Sequence, residues 1–214
     1  MSPLTRKRVS REQSQAQTRE RLLEAAGREV VRGGVMAASL RGICEAAGYS
    51  QGAFYSNFDS KDDLLLELMA RHMREETQAL RALIAASADS DLDATLRRIS
   101  ERLAELSQTA EWSLLAVELQ LYARRDAAFA ARYDAAKAAY HAEFAAALDE
   151  LVQRYRLRPA LASLQMAIGL YALWCGFAVQ GTVSAAIPRG EMLLAFFRAV
   201  TGAPTRSSNS GDIA

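Results

Sequence analysis

The sequence predicts an all-α protein: a helix-turn-helix three-helix domain at the amino terminus, followed by a larger helical domain. Three observations predict it. Apolar residues recur at helical spacing along most of the 214 residues, and no stretch alternates convincingly as a strand would. Four prolines and 12 glycines leave room for long uninterrupted helices. Ser39, Ser50 and Ser60 each stand just before an apolar periodic run, where a hydroxyl can accept an orphan backbone N–H. The expected division is a flexible basic arm over 1–14, the helix-turn-helix domain over 15–60, the larger domain over 61–202 and a disordered tail over 203–214.

The arm carries Arg6, Lys7, Arg8 and Arg11. Such a segment is either a solvated tail or an arm that touches DNA. A first helix from about Gln15 to Arg32 follows from Leu22, Leu23, Ala26, Val30 and Val31, and Gly33-Gly34 ends it. Its arginines alternate with Glu20, Glu24 and Glu29 as surface pairs, while Arg19, near the start, could reach a phosphate. After the connection Val35–Ala38, Ser39 caps a helix with Leu40, Ile43, Cys44 and Ala47 on one face. Gly48 can end that helix in a left-handed conformation. Ser50 caps the next, Gln51 to about Asn57, with Phe54 and Phe58 turned inward. Two helices joined this tightly form a helix-turn-helix, whose second helix enters the DNA major groove.

Ser60 caps the following helix, with Asp62 and Asp63 in the first turn where the dipole favours them. Leu64, Leu65, Leu68, Met69, Met73, Leu80 and Leu83 carry it to about Ala86. Ser90 with Asp93 resembles a capping box, and Leu92, Leu96, Ile99, Leu103 and Leu106 form the stripe of the next helix. Thr109 opens another, bearing Trp112, Leu115, Leu119 and Tyr122. A long helix then runs from about Asp126 to Tyr155. Pro159 suits the first turn of the helix after it. Residues 160–187 are apolar almost throughout and long enough to span a bilayer. Gln165, Gln180, many small residues and the lack of an aromatic belt argue instead for a helix buried between its own core and a partner. Pro188 starts a last helix that ends at Gly202.

The net charge of +1 says little, but its distribution is informative. Residues 1–58 hold nine Lys/Arg and five Asp/Glu, a net of +4, and the remainder nets −3. The basic excess sits with the helix-turn-helix, as DNA phosphates require. The two cysteines, Cys44 and Cys175, form no C-x-x-C pair, which suits a reducing cytoplasm and offers no zinc or disulfide framework. The amino terminus lacks the apolar core of a secretion signal. The chain shows no nucleophile–His–acid set, metal spacing or phosphate loop, so an enzyme, a metal centre and a cofactor are not expected. A helical interaction or adaptor protein without specific DNA binding is the competing class, opposed by the basic head.

Residues 18–65 resemble the DNA-binding domain of the TetR/AcrR family of bacterial regulators. The matching residues are Arg19, Leu22-Leu23, Ala25-Ala26, Gly34, Ser39-Leu40, Ile43, Ala47-Gly48, Ser50, Gly52, Tyr55, Phe58, Ser60-Lys61 and Leu64-Leu65. Val30, Cys44, Tyr49 and Phe54 depart from the usual pattern as changes of volume in a core. The resemblance implies DNA contacts at Ser39, Arg41, Gln51, Ala53, Tyr55, Asn57 and Lys61. Arg41 can fork onto guanine and Gln51 can pair with adenine, while Tyr55 and Lys61 can hold phosphates. Ala53, Ser56 and Asn57 differ from the residues frequent there, so the operator sequence does not carry over. The resemblance further implies a ligand-binding and dimerisation domain, with residues 160–201 pairing two copies. The expected partners are thus a double-stranded, (pseudo)palindromic DNA operator, a small-molecule effector and a second copy of the chain, with no membrane. Repression relieved by the effector is the expected mode. Expected ligand-lining residues are Trp112, Leu115, Glu118, Tyr122, Tyr140, Phe144, Met166, Tyr171, Trp174 and Phe177. Glu118 is the candidate partner of a cationic ligand group or of Arg124.

Overall fold

The computed structural model describes residues 11–108, 110–180 and 187–203. Among these residues the chain is helical and contains no strand: α1 (Arg11–Gly33), α2 (Leu40–Ala47), α3 (Gln51–Tyr55), α4 (Lys61–Ala86), α5 (Leu92–Gln108), α6 (Ala110–Ala123), α7 (Ala127–Arg154), α8 (Ser163–Gln180) and α9 (Arg189–Thr201). Arg6, Lys7 and Arg8 of the basic arm, Thr109 and the tail from 204 onward lie outside the described residues.

The capping signals read from the sequence set the starts of α2, α3 and α4. Ser39 accepts the N–H of Gly42, and Ser50 accepts that of Ala53. Ser60 and Asp63 form a reciprocal cap: Ser60 Oγ accepts Asp63 N–H at 3.1 Å and donates to Asp63 Oδ2 at 2.6 Å. Four details differ from expectation. α1 begins at Arg11 rather than Gln15, with Glu12 complementing the dipole of its first turn. α3 stops at Tyr55, short of Asn57. Asp91, not Ser90, caps α5: its carboxylate accepts the Ala94 N–H at 2.7 Å. Pro159 precedes α8 instead of opening it: Ala160 N–H donates to Val200 O, and Gln165 Oε1 caps Ala162 N–H, so the helix starts at Ser163.

The described residues form two compact units. The head comprises the residues up to Arg71 with Leu115–Tyr133; the larger unit comprises His72–Leu114 with the residues from Asp134 onward. α4, α6 and α7 each contribute residues to both units.

In the head, α1 packs on α2 and α3. Its fully buried side chains include Leu22, Val30, Ile43, Phe54, Leu64, Leu65, Leu119 and Tyr133. In the larger unit, α9 packs on α5 and α8 around Ile84, Leu96, Leu148, Leu151, Met166 and Phe197. Burial of such side chains supplies about 1.5–3 kcal/mol each and is the main force holding either unit together. α8 is long and apolar enough by length and composition to cross a membrane, with 17% of that window buried. Leu161, Leu164, Ile168, Val179 and Phe196 remain exposed along α8, its approach and α9.

Candidate functional site

The helix-turn-helix is built from local rules. Gly48 takes φ of 75°, a conformation that Gly adopts without steric penalty, and this turns the chain between α2 and α3. Tyr49 N–H then donates to Cys44 O at 2.9 Å, which satisfies a terminal carbonyl of α2. Phe54 anchors α3 from below, with Tyr55 edge-on to it at 5.4 Å and Phe58 at 5.6 Å. Cys44 is buried as a small apolar residue; burial, then Glu45, pushes its thiol pKa up, which disfavours the reactive thiolate.

The expected DNA-contact residues come together around α2, α3 and the start of α4, but they are not equally free. Gln51 and Tyr55 are exposed, Tyr55 with 59% of its surface open. Arg41 is exposed and pairs with Glu45 one turn on at 2.7 Å. Ser39 is exposed while its oxygen serves as a cap. Ala53 is half-buried. Asn57 is turned inward: its amide donates to Ala53 O at 2.8 Å and its Oδ1 is buried with no partner.

Lys61 has a role that periodicity does not reveal. Its ammonium donates to the carbonyls of Val35 at 3.0 Å and Ala38 at 3.1 Å. It thereby closes the α1–α2 connection onto the first residue of α4. Arg19 is likewise committed within the head. It forks onto Glu67, donates to Asn57 O and lies 4.2 Å over the Phe58 ring, so it is a clamp between helices.

The expected ligand-lining residues separate into two groups. Leu115, Glu118 and Tyr122 belong to the head. Leu115 is core. Glu118 Oε2 accepts the N–H of Val35 at 3.4 Å and lies beside Gly34, whose φ of 81° makes the turn out of α1. In this structure Glu118 thus meets the backbone between α1 and α2. Tyr122 donates to Asp62 at 3.3 Å. Trp112, Tyr140, Phe144, Met166, Tyr171, Trp174 and Phe177 belong to the larger unit. Met166 is buried in the core and Phe144 packs against it. Trp112 stacks on His72 at 4.1 Å, a pairing between distant segments. Burial lowers the His72 pKa to about 4. Tyr140 and Tyr171 meet edge to face at 5.3 Å.

Comparison with known proteins places this geometry. Residues 22–68 match the family described as bacterial regulatory proteins, tetR family. The chain is 38% identical over 68 residues to an uncharacterized HTH-type transcriptional regulator, YwcC, of Bacillus subtilis (strain 168); the match spans 32% of this chain and 30% of that relative's length. The fold resembles E. coli NemR in its reduced form, with a TM-score of 0.69 at 23% identity, covering 88% of this chain and 100% of that one. It also resembles FadR from Bacillus subtilis, solved in complex with stearoyl-CoA, with a TM-score of 0.64 at 14% identity over 87% of this chain and 99% of that one.

Proposed function

We propose, from the match of residues 22–68 to the tetR family of bacterial regulatory proteins, that the chain is a ligand-responsive DNA-binding transcriptional regulator of that family, a repressor released from its operator by a small molecule. The observation that carries this reading is the capped helix-turn-helix with Gln51, Tyr55 and Arg41 exposed on it. Tyr55 holds phosphate and fixes register, while Gln51 and Arg41 read base edges. Lys61 adds positive charge at the start of α4.

Two copies pair through residues 160–201. The support is the exposed apolar row Leu161, Leu164, Ile168 and Val179 with Phe196, too extended a row for isolated surface residues. A symmetric dimer covers such a row with itself and presents two recognition helices to a (pseudo)palindromic operator. The structure of FadR in complex with stearoyl-CoA supports a small-molecule effector. A ligand that binds better when the heads are wrongly spaced lowers DNA affinity by differential binding to two states. Such a protein works in the cytoplasm without catalysing a reaction.

A gel shift against DNA flanking the chain's own gene tests the reading. A specific shift at moderate salt is expected, and its absence would favour an interaction protein. Ile168→Glu places a charge in the apolar row and should turn a dimer into a monomer in sedimentation; an unchanged dimer would remove this face from the interface.

A further inference from the structure

In the larger unit, the rings of Tyr140, His141 and Tyr171 stand within 5.3 to 5.7 Å of one another. Phe144 extends this group at 6.0 Å from Tyr140. His141 is 8% exposed, and its Nε2 is buried with no hydrogen-bond partner. A buried imidazole nitrogen left unpaired carries the full desolvation penalty, so a native structure offers it a partner. One turn before His141, Lys137 keeps 23% of its side chain exposed, and its ion pair with Asp134 is long at 3.7 Å, with Asp134 largely in solvent. On α8, the Tyr171 hydroxyl interacts with the Cys175 thiol. Glu76, whose charge acts on Tyr140, is already bound by Arg102 at 2.9 Å.

We propose that this cluster, Lys137, Tyr140, His141, Tyr171 and Cys175, binds an aromatic compound carrying one acidic oxygen, a phenol or a carboxylic acid, as the effector; the proposal rests on the reading of the chain as a ligand-responsive regulator. The ligand ring lies against the tyrosines and Phe144, where offset or edge contacts are favourable. Its oxygen meets His141 Nε2, and the ammonium of Lys137 supplies the positive potential that favours an anion. The electrostatics agree with this sign. Burial and then Lys137 hold the His141 pKa below its usual value, so the imidazole stays neutral at pH 7 and is a hydrogen-bonding group, not a charge. Burial raises the Cys175 pKa, so the thiol contributes no competing anion. A cationic ligand would meet the ammonium of Lys137, while Glu76 is held by Arg102. This reverses the charge expected for the ligand when Glu118 is taken as its partner.

The test titrates the full-length protein calorimetrically at pH 7.5 with 4-nitrophenol, benzoate and benzylammonium. Both acids should bind about tenfold or more tightly than benzylammonium, and the His141 ring nitrogen should shift in NMR on their addition. His141→Leu should cost the acids about tenfold in affinity. His141→Gln, which returns a polar group near Nε2, should recover part of it. Lys137→Met should weaken benzoate and tighten benzylammonium, whose repulsion it removes. Equal or tighter binding of benzylammonium, unchanged acid affinity in His141→Leu, or no binding of either acid would overturn the proposal. A parallel gel-shift screen with a chemically mixed set of compounds separates the two readings. Release by non-acids alone removes the acid class and keeps the ligand-responsive regulator. Release by no compound removes both.

Discussion

The head and the larger unit complete themselves to different degrees. In the head, serine caps, the Arg19 fork, the Lys61 ammonium and the Glu118 carboxylate each satisfy a polar group close by. Among the described residues its buried side-chain atoms leave Asn57 Oδ1 without a partner. The larger unit leaves Arg102 Nε, His141 Nε2 and Arg189 Nη1 unpaired, and it carries the exposed row from Leu161 to Phe196. A polar surface that is already satisfied needs only a charged partner at its exterior, as DNA provides. Unpaired buried atoms and uncovered apolar rows are costly unless something else meets them. The two units therefore present themselves to different kinds of partner.

The strongest way to break the comparison is to remove the anchor of the head. Phe54 is fully buried beneath α3. Phe54→Ala should destabilise the protein by about 3–5 kcal/mol and abolish specific DNA binding. Circular dichroism melting and a gel shift check both, and retained specific binding would mean that α3 is held by its caps alone.

The next effect belongs to the larger unit. Folded His72 stays neutral down to about pH 4, whereas the unfolded chain protonates it near 6.5. The unfolded state thus binds more protons between those values, and stability falls as pH is lowered through that window. The loss from this group reaches up to about 3 kcal/mol. Urea unfolding at pH 7 and pH 4.5 should show a smaller loss in His72→Gln than in the parent. Equal losses would mean that His72 is solvated.

Lys61 sharpens the comparison from the other side, because it is both a clamp and a candidate phosphate contact. Lys61→Met should cost about 1–3 kcal/mol through the two carbonyls it leaves behind. If it also touches phosphate, the slope of log affinity against log salt should flatten by about one. A stability loss at constant slope would make it a clamp alone. The smallest effect is expected at a cap: Ser50→Ala should cost about 1 kcal/mol, read as a shift in urea midpoint. No shift would mean that α3 is fixed wholly by Phe54.

Local chemistry made the helix-turn-helix legible in the sequence. Ser39, Gly48, Ser50 and Phe54 act over a few residues, so their spacing alone specifies two helices and the turn. The same held for Ser60 and the long apolar stripe of α4. Where two caps competed, as at Ser90 and Asp91, the sequence was ambiguous, because either side-chain oxygen could serve, and the structure gives the role to Asp91. The ligand-lining residues were harder to read. An aromatic at helical spacing is equally suited to a core, a site or a stack, and periodicity does not say which helix it will meet.

By itself the sequence determined the helical class, the capped ends and the recognition motif, since these depend on contacts within one or two turns. Only the tertiary structure decided that Arg19 clamps Glu67, that Lys61 reads the carbonyls of Val35 and Ala38, and that Glu118 serves the backbone of Val35. It alone brought Tyr140, His141 and Tyr171 together and left Nε2 unpaired. The physical reason is reach. These long-range partners are separated by 23 to 83 residues of chain, and a charged or aromatic side chain has no periodic signature of which distant group will satisfy it.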